Sequence, residues 1–287
     1  MPHLKKSQSR LATILRTVGR VASAIKERRL GSGIRTRYSR LVREPFLRAA
    51  LNQHGSTSKQ LPSISMSGRF GASPMGHMAK NAFERAMRGE SDLPPKIRNV
   101  KGMSGQKYRF FINNFVTSLR GARYLEVGSW AGSTAIAALY GNEAEALCID
   151  DWSQFGGPRA EFLCNLELVR VANRTIQLVE RDFRRVDYAS IGTFNVFLFD
   201  GPHKESDHYE GIRLVQPALA SPYLLIIDDW NWFRVRVGTL QALKDLQCEI
   251  QCSIEVRTTL DDTHPEILDL NSDWHNGYFI GVICRER

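Results

Sequence analysis

Short apolar runs alternate with helical patterns from about residue 107 to the C-terminus, and this alternation limits the possible folds more than any other feature. The apolar runs predict strands at 124–127, 146–149, 176–179, 196–199, 224–227, 250–256 and 278–283. Helices are predicted from 107 to about 119, from 133, over 160–171, from 206 and over 233–246. Short, continuously apolar strands separated by helices are typical of a parallel sheet covered on both faces. We therefore predict a doubly wound, Rossmann-like α/β sheet.

The residues before this region divide into two further parts. Residues 1–50 predict a basic helical arm, residues 51–100 a Ser/Gly-rich linker with a short helix over 75–88, and residues 101–287 the α/β domain. Residues 1–60 hold 14 of the 39 Lys and Arg but two of the 30 acids, which leaves the rest of the chain with 25 basic and 28 acidic residues. The basic charge therefore belongs to the arm and not to the body.

Within the arm, residues 11–30 have the apolar spacing of a basic amphipathic helix. Such a helix can lie on an anionic membrane, pack on a partner, bind a polyanion or form a solvated extension. The acidic balance of the body argues against nucleic acid as the partner. The sequence leaves oligomer formation open.

Cysteine usage and hydropathy indicate the compartment. The five cysteines are odd in number, and Cys148 and Cys284 lie inside apolar runs, which is typical of reduced thiols. The sequence has no run of about 18 apolar residues and no signal-peptide core. We therefore expect a cytoplasmic protein, with no metal on the cysteines.

The segment after the first predicted strand is the first candidate for ligand binding, because ligands of such sheets bind outside the carboxyl ends of the strands. Trp130 stands where a dinucleotide-binding loop has its second glycine, so a pyrophosphate is not expected here. Glu126 can face the ammonium group of a cationic amino-acid ligand, and Gly128 can let the chain pass beneath it. The candidate ligand-binding residues of this turn are Glu126, Gly128, Ser129, Trp130, Gly132 and Ser133.

Acids also follow the second and third predicted strands. Asp150 and Asp151, with Trp152, lie about 25 residues after Glu126, where an acid is expected to hold ribose hydroxyls. Asp182 and Phe183 suit the amino group and the ring face of an adenine. Each of these acids alone is more often a helix cap or a surface residue, but their occurrence at successive strand ends predicts a nucleoside site.

Three further acids follow the fourth and fifth predicted strands. Asp200, Asp228 and Asp229 predict a site for Mg²⁺ or a similar cation, because carboxylates beside a core need a partner. In the alternative interpretation no cation binds here: Asp200 contacts the cofactor, Asp228 caps a helix and Asp229 is solvated. His203 is the candidate general base, with Asp200 as a second catalytic candidate. His208 is expected at the surface.

Several sequence blocks together resemble a group of bacterial and viral class I S-adenosylmethionine-dependent methyltransferases. The likeness covers about two thirds of the chain, and its most specific part is Asp228–Trp232. The blocks are Gly102–Ser104, Phe111–Asn114, Tyr124–Gly128, Gly132–Thr134, Trp152–Pro158, Asp228–Trp232 and Trp274–Gly277. The resemblance implies a Rossmann-like methyltransferase fold with S-adenosylmethionine as cofactor.

More distantly, the predicted site is similar to those of the macrocin-type sugar O-methyltransferases and of catechol O-methyltransferase. In those families acids after the fourth and fifth strands bind Mg²⁺, which implies the same role for Asp200, Asp228 and Asp229. The macrocin-type motif has a second acid where this chain has Pro202, so a base cannot be transferred to that position. His203 is inferred from its chemistry alone.

The function expected from these features is O-methylation of a sugar or another small hydroxylated acceptor, with Mg²⁺ as the candidate metal. The base or the metal would lower the cost of forming the alkoxide, and the site would align it with the sulfonium methyl. Two alternatives are a non-catalytic cofactor-binding or assembly module and a nucleic-acid methyltransferase. The acidic body and the lack of an Asn/Asp-Pro-Pro-Tyr/Phe-type motif argue against the second.

Overall fold

A computed structural model describes residues 61–171 and 175–285. The basic arm over 1–50 lies outside the described residues. The strands are β1 (Ser63–Gly68), β2 (Arg123–Val127), β3 (Glu145–Ile149), β4 (Ile176–Val179), β5 (Phe194–Phe199), β6 (Leu219–Ile227), β7 (Cys248–Arg257) and β8 (Tyr278–Arg285). They form one sheet of eight strands in the order β1-β7-β8-β6-β5-β2-β3-β4. This architecture confirms the predicted α/β class.

The direction of the strands sets the position of the site. Strands β2 to β6 are mutually parallel, whereas β8 is antiparallel to both β6 and β7. The prediction of a wholly parallel sheet is therefore wrong at this edge. From β2 the chain moves outward to β3 and β4 and then returns to β5 on the other side of β2. The strand order thus reverses between β2 and β5, and a crevice opens at their carboxyl ends.

Helices cover both faces of the sheet. They are α1 (Pro74–Met87), α2 (Pro95–Arg98), α3 (Gln106–Ser118), α4 (Ser133–Leu139), α5 (Arg159–Leu166), α6 (Glu205–Leu214) and α7 (Phe233–Asp245). Buried side chains form two apolar clusters that together enclose the sheet, one with residues of α1, α3, α4 and α5 and the other with residues of α6 and α7. Among the described residues, no helix has both the length and the apolarity to cross a membrane.

The segment before residue 101 contributes a strand and a helix to this fold. Strand β1 pairs antiparallel with β7 in register from Ser63 opposite Arg257 to Gly68 opposite Cys252. The prediction of a linker is therefore wrong over Ser63–Gly68. Serines at alternate positions interrupt the apolar residues, so this segment lacks the continuous apolar run that predicted the other strands. Helix α1 matches the predicted short helix and packs Phe83 into the core.

Removal of residues 1–60 is expected to leave a folded protein with unchanged affinity for S-adenosylhomocysteine, because residues 61–285 supply the eight-stranded sheet that carries the cavity. A chain that begins at Met75 would lose β1 and leave the edge of β7 unpaired, so it is expected to be less stable. Circular dichroism and calorimetry on both truncations test this. If the chain from residue 61 is insoluble, residues 1–60 belong to the same folding unit.

His208 is buried, and the prediction of a surface residue is wrong. Its ring packs edge to face on Phe199 with centroids 5.0 Å apart, and both ring nitrogens are enclosed without a hydrogen-bond partner among the described residues. Burial lowers the pKa of His208 to about 3. The imidazole is therefore neutral in the folded protein.

Acidification is expected to destabilise the fold through His208. In the unfolded chain the imidazole protonates below about pH 6.5, whereas the folded state cannot take up this proton, so stability falls with decreasing pH. Between pH 7.5 and 5.5 this group should cost the wild type about 1.3 kcal/mol that His208→Leu does not lose. Urea unfolding at both values of pH measures the difference. The exposed His77→Leu control should keep the wild-type dependence; equal dependence in His208→Leu would contradict the assignment.

Candidate active site

A cavity of about 500 Å³ lies at the carboxyl ends of the parallel strands, where the strand order reverses. This volume is within the range of small-molecule sites. Predicted residues that line it are Gly128, Trp130, Asp150, Asp151, Asp182, Phe183, Asp200, His203, Asp228 and Asp229. The cavity wall does not include the other predicted residues, which are Glu126, Ser129, Gly132, Ser133 and Trp152.

The turn after β2 brings two strand tips together at Gly128. This glycine has a φ of +90°, and a Cβ at this position would lie 1.8 Å from the carbonyl oxygen of Asp200. The Asp200 N–H donates to the carbonyl of Val127 at 2.9 Å. The neighbouring strand therefore requires the glycine, which is a different reason from the close ligand approach expected from the sequence.

Glu126 lies beneath the cavity and not at its surface. Its side chain is fully buried, one carboxyl oxygen accepts the hydroxyl of Tyr124, and Oε1 has no hydrogen-bond partner in the part of the chain that the structure describes. Burial raises the pKa of Glu126 to about 7. Direct contact with a ligand ammonium group, as proposed from the sequence, would need this carboxyl to become accessible.

The acids after β3 have different environments. Asp150 accepts the N–H of Trp130 at 2.7 Å and the N–H of Trp152 at 2.6 Å, so its two oxygens fix the two loops beside the crevice. Asp151 accepts the N–H and the hydroxyl of Ser153 through one oxygen. The hydroxyl hydrogen bond lowers the pKa of Asp151. Asp151 is exposed and ionised, and its other oxygen accepts no hydrogen bond from the described residues.

The tip of β4 forms the far wall of the cavity. Asp182 accepts the N–H of Arg184 at 2.9 Å and thereby caps the short 3-10 helix Phe183–Arg185. Phe183 is buried against Phe199 with ring centroids 5.3 Å apart. Arg184 also forms ion pairs with Asp207 and Glu210, which hold its guanidinium in place.

Three carboxyl groups meet at the tips of β5 and β6, as predicted. Burial and the charges of Asp228 and Asp229 raise the pKa of Asp200 well above its usual value. Burial and the charge of Asp229 do the same for Asp228. Asp228 accepts the N–H of Asp229 at 2.7 Å and the hydroxyl of Tyr278 at 3.3 Å. Both of its oxygens are therefore engaged within the protein.

His203 and Asp229 form a close pair at the cavity wall. The Nε2 of His203 lies 2.8 Å from Oδ2 of Asp229, and the side-chain amide of Asn276 donates to Oδ1 at 2.6 Å. Burial alone would raise the pKa of Asp229, but the hydrogen bond and charge of His203 outweigh it, and the pKa is lowered. Ligand atoms of Asp200, His203 and Asp229 all lie within 4.8 Å of one another. His203 thus takes the place in this group that the sequence prediction gave to Asp228.

Two of the sequence blocks that carry the resemblance are joined by hydrogen bonds. Asn231 donates to Asn276 at 2.8 Å through the side chains, and the two residues also pair through their backbones at 3.0 Å. Asn276 in turn orients Asp229. The Asp228–Trp232 and Trp274–Gly277 blocks therefore build one wall of the site together, and only their joint presence in the resemblance could have indicated it.

A buried arginine positions the loop that carries Met103 to the cavity. Arg109 donates to the carbonyls of Val100 and Gly102 and to the hydroxyl of Ser104, which in turn contacts the hydroxyl of Ser133 at 3.0 Å. A Cβ on Gly102 would lie 1.9 Å from Oγ of Ser133. Ser133 thus acts on the loop and not as a wall of the cavity.

No protein-family model and no curated protein matches the chain. A candidate S-adenosylmethionine-dependent methyltransferase from Streptococcus mutans superposes with a TM-score of 0.44 and 16% identity, over 62% of this chain and 48% of that one. The chain thus matches about half the length of that protein. Cofactor-bound Rv0187 from MTB gives 0.47 and 15% over 75% and 92%, and the O-methyltransferase TomG from Streptomyces achromogenes with SAM gives 0.43 and 14% over 72% and 89%. The function of this chain is inferred from its own site.

Proposed function

We propose that this chain is a class I S-adenosylmethionine-dependent methyltransferase that methylates a hydroxyl group of a small neutral acceptor, such as a sugar. The observation that carries the proposal is the division of the cavity into two parts. One part lies at the tips of β2, β3 and β4 and is lined by acids and an aromatic ring, whereas the other lies at the tips of β5 and β6 and holds His203 and Asp229.

The charge of the wall favours a cationic cofactor. Among the described residues, seven aspartates and two arginines line the cavity, and because the pKa of Asp200 and of Asp228 is raised, the other five aspartates supply most of the negative charge. Such a wall attracts the sulfonium and ammonium groups of S-adenosylmethionine and disfavours the phosphates of a dinucleotide or a nucleic acid. In this arrangement Asp151 is available to the ribose and Asp182 to the adenine amino group, whereas the guanidinium of Arg184 covers the ring of Phe183 at 4.3 Å from its centroid. The turn at Gly128 and Trp130 borders the methionine end.

The acceptor part can position and deprotonate a hydroxyl. Asn276 fixes Asp229, and Asp229 accepts the Nε2–H of His203, so the lone pair of the neutral imidazole lies on Nδ1, which is the ring nitrogen that can accept the proton of the acceptor. The acceptor oxygen would then form a bond to the methyl carbon of bound S-adenosylmethionine in line with the breaking carbon–sulfur bond, and S-adenosylhomocysteine would be the leaving group. Most of the expected rate enhancement comes from holding the acceptor oxygen and the sulfonium methyl in the geometry for in-line attack.

A divalent cation fits the group formed by Asp200, His203 and Asp229. Their ligand atoms converge, and a cation would offset the repulsion that raises the pKa of Asp200. Two carboxylates and one imidazole suit Mn²⁺ or Zn²⁺ better than Mg²⁺, which prefers oxygen ligands alone. When bound, the cation would lower the pKa of an acceptor hydroxyl. Without it, the pair of His203 and Asp229 serves as a metal-free base.

Calorimetry and turnover together test the proposal. S-adenosylhomocysteine should bind with a stoichiometry of one, and labelled S-adenosylmethionine should transfer its methyl to members of a panel of glycan and phenolic acceptors. The panel is run with chelator, with Mg²⁺ and with Mn²⁺. Binding without transfer to any acceptor would favour a non-catalytic cofactor-binding module, and failure to bind would exclude both.

Asp182→Ala is expected to weaken S-adenosylhomocysteine binding about tenfold, because the variant removes a charge-assisted hydrogen bond to the adenine amino group. Asp187→Ala is the matched control. Each aspartate accepts the N–H two residues further on, but only Asp182 lines the cavity. Calorimetry on both variants separates the ligand contact from the capping role. Equal losses of affinity would place the adenine elsewhere.

A further inference from the structure

His275 lies at the cavity wall in a conformation that the surrounding chain holds in place. The residue is 7% exposed, and its φ of +42° is uncommon for a residue other than glycine. The hydroxyl of Thr258 donates to its carbonyl at 2.9 Å, and the N–H of Asp269 donates to its Nδ1 at 3.1 Å. Backbone strain at a ligand-facing position commonly accompanies a functional requirement.

The contact with Asp269 fixes the tautomer of the ring. A backbone N–H can only donate, so the Nδ1 of His275 is the unprotonated nitrogen and the neutral ring carries its hydrogen on Nε2. The carboxylate of Asp269 lies 3.6 Å from Nδ1, which is too long for a hydrogen bond to a protonated nitrogen. Burial lowers the pKa of His275 and so favours the neutral form.

The Nε2 of His275 opens onto the cavity. Among the described residues it has no hydrogen-bond partner, and it is not one of the enclosed side-chain atoms that lack a partner. The next residue in the chain, Asn276, donates to Asp229 at 2.6 Å, so His275 lies on the side of the cavity that holds Asp229 and His203. A neutral donor therefore faces the acceptor part of the cavity, close to the group that is proposed to activate the hydroxyl.

We infer that His275 determines acceptor specificity: its Nε2–H donates to a second oxygen of the acceptor, next to the hydroxyl that is methylated. This inference rests on the proposed methyltransfer and names the acceptor class as neutral compounds with two adjacent oxygens. An anionic group in place of the second oxygen would be repelled by the neighbouring carboxylates. An acceptor without that oxygen would leave the N–H unpaired, and such a loss typically costs ten- to hundredfold in affinity.

Two substitutions of His275 distinguish the role of Nδ1 as an acceptor from the role of Nε2 as a donor. In His275→Asn the amide can replace Nδ1 as the acceptor of the Asp269 N–H but reaches no further, whereas in His275→Gln the amide can replace the donor at Nε2. Catechol, with two adjacent oxygens, and phenol, with one, are the probes, and S-adenosylhomocysteine is present throughout. We expect the wild type and His275→Gln to bind catechol at least tenfold more tightly than phenol, and His275→Asn to bind the two equally.

Long-range ¹H–¹⁵N correlation spectra report the tautomer directly. At pH 7 the ring of His275 should be neutral with its hydrogen on Nε2, and catechol should shift this nitrogen signal. A hydrogen on Nδ1, a doubly protonated ring, or the same preference for catechol in the wild type and His275→Asn would overturn the inference. Loss of S-adenosylhomocysteine binding in the wild type, with the Nε2–H tautomer intact, would instead overturn the proposed cofactor.

Discussion

Gly128→Ala is expected to destabilise the fold by more than about 3 kcal/mol, and not only to weaken ligand binding. A Cβ at Gly128 would lie 1.8 Å from the carbonyl oxygen of Asp200, which cannot move without displacing the backbone of β5. The left-handed φ of +90° adds about 1 kcal/mol for any residue with a Cβ. Urea unfolding monitored by circular dichroism measures the effect.

Gly141→Ala is the matched control for this prediction. Gly141 also has a left-handed φ, of +72°, but a Cβ there would meet no atom within 4 Å. The control should therefore lose only the conformational cost of about 1 kcal/mol. If the two variants unfold at the same urea concentration, the backbone of Gly128 does not lie as close to the carbonyl oxygen of Asp200 as described.

The same contact changes how a substitution at Gly128 should be interpreted. The sequence predicts that Gly128 lets the chain pass beneath the ligand, and on that basis a larger side chain would be expected to obstruct the cofactor. Because the steric conflict is with the neighbouring strand, loss of S-adenosylhomocysteine binding in a Gly128 variant would not identify a ligand contact. Asp182 is the better test of the cofactor part, since its side chain faces the cavity and its capping role is matched by Asp187.

The sheet could be predicted from the sequence wherever the strands are continuously apolar. Strands β2 to β5 were placed to within about two residues, because buried parallel strands have few polar positions. Strand β1 was missed because Ser63, Ser65 and Ser67 interrupt its apolar residues. The direction of β8 was not predictable, since it depends on the path of the chain between β7 and β8 and not on local composition.

The candidate site was predictable to the extent that it depends on strand ends. Asp150, Asp182, Asp200 and Asp229 line the cavity because each follows a parallel strand, and parallel strands end at one edge of a sheet. The burial of the Glu126 carboxyl beneath the cavity was not predicted, because it depends on the hydrogen bond that the Tyr124 hydroxyl donates to it inside the core. Hydrogen bonds between distant segments, such as that from Asn276 to Asp229, leave no local pattern at either residue.

Asp229→Asn is expected to reduce turnover by about 10²- to 10⁴-fold while S-adenosylhomocysteine affinity stays within about threefold of wild type. Asp229 holds His203 at 2.8 Å and is itself held by Asn276, so its carboxylate is required whether the proton acceptor works alone or beside a cation. The cofactor part of the cavity lies at other strand tips and should not sense the change. Labelled methyl transfer and calorimetry give the two readouts.

Asp262→Asn is the control for Asp229→Asn, because Asp262 accepts the N–H of Phe233 and pairs with Arg236 outside the cavity wall. The Asp262→Asn variant should turn over like the wild type.

Chelation then distinguishes the cation-dependent form of the mechanism from the metal-free form. If a cation is required, chelated wild type should lose turnover and recover it with Mn²⁺, whereas Asp229→Asn should not recover. If it is not required, chelation should leave the wild type active and Asp229→Asn inactive. Full turnover in Asp229→Asn would remove the pair of His203 and Asp229 from the chemistry, since an amide lacks the negative charge that stabilises a cationic imidazole or a bound metal ion.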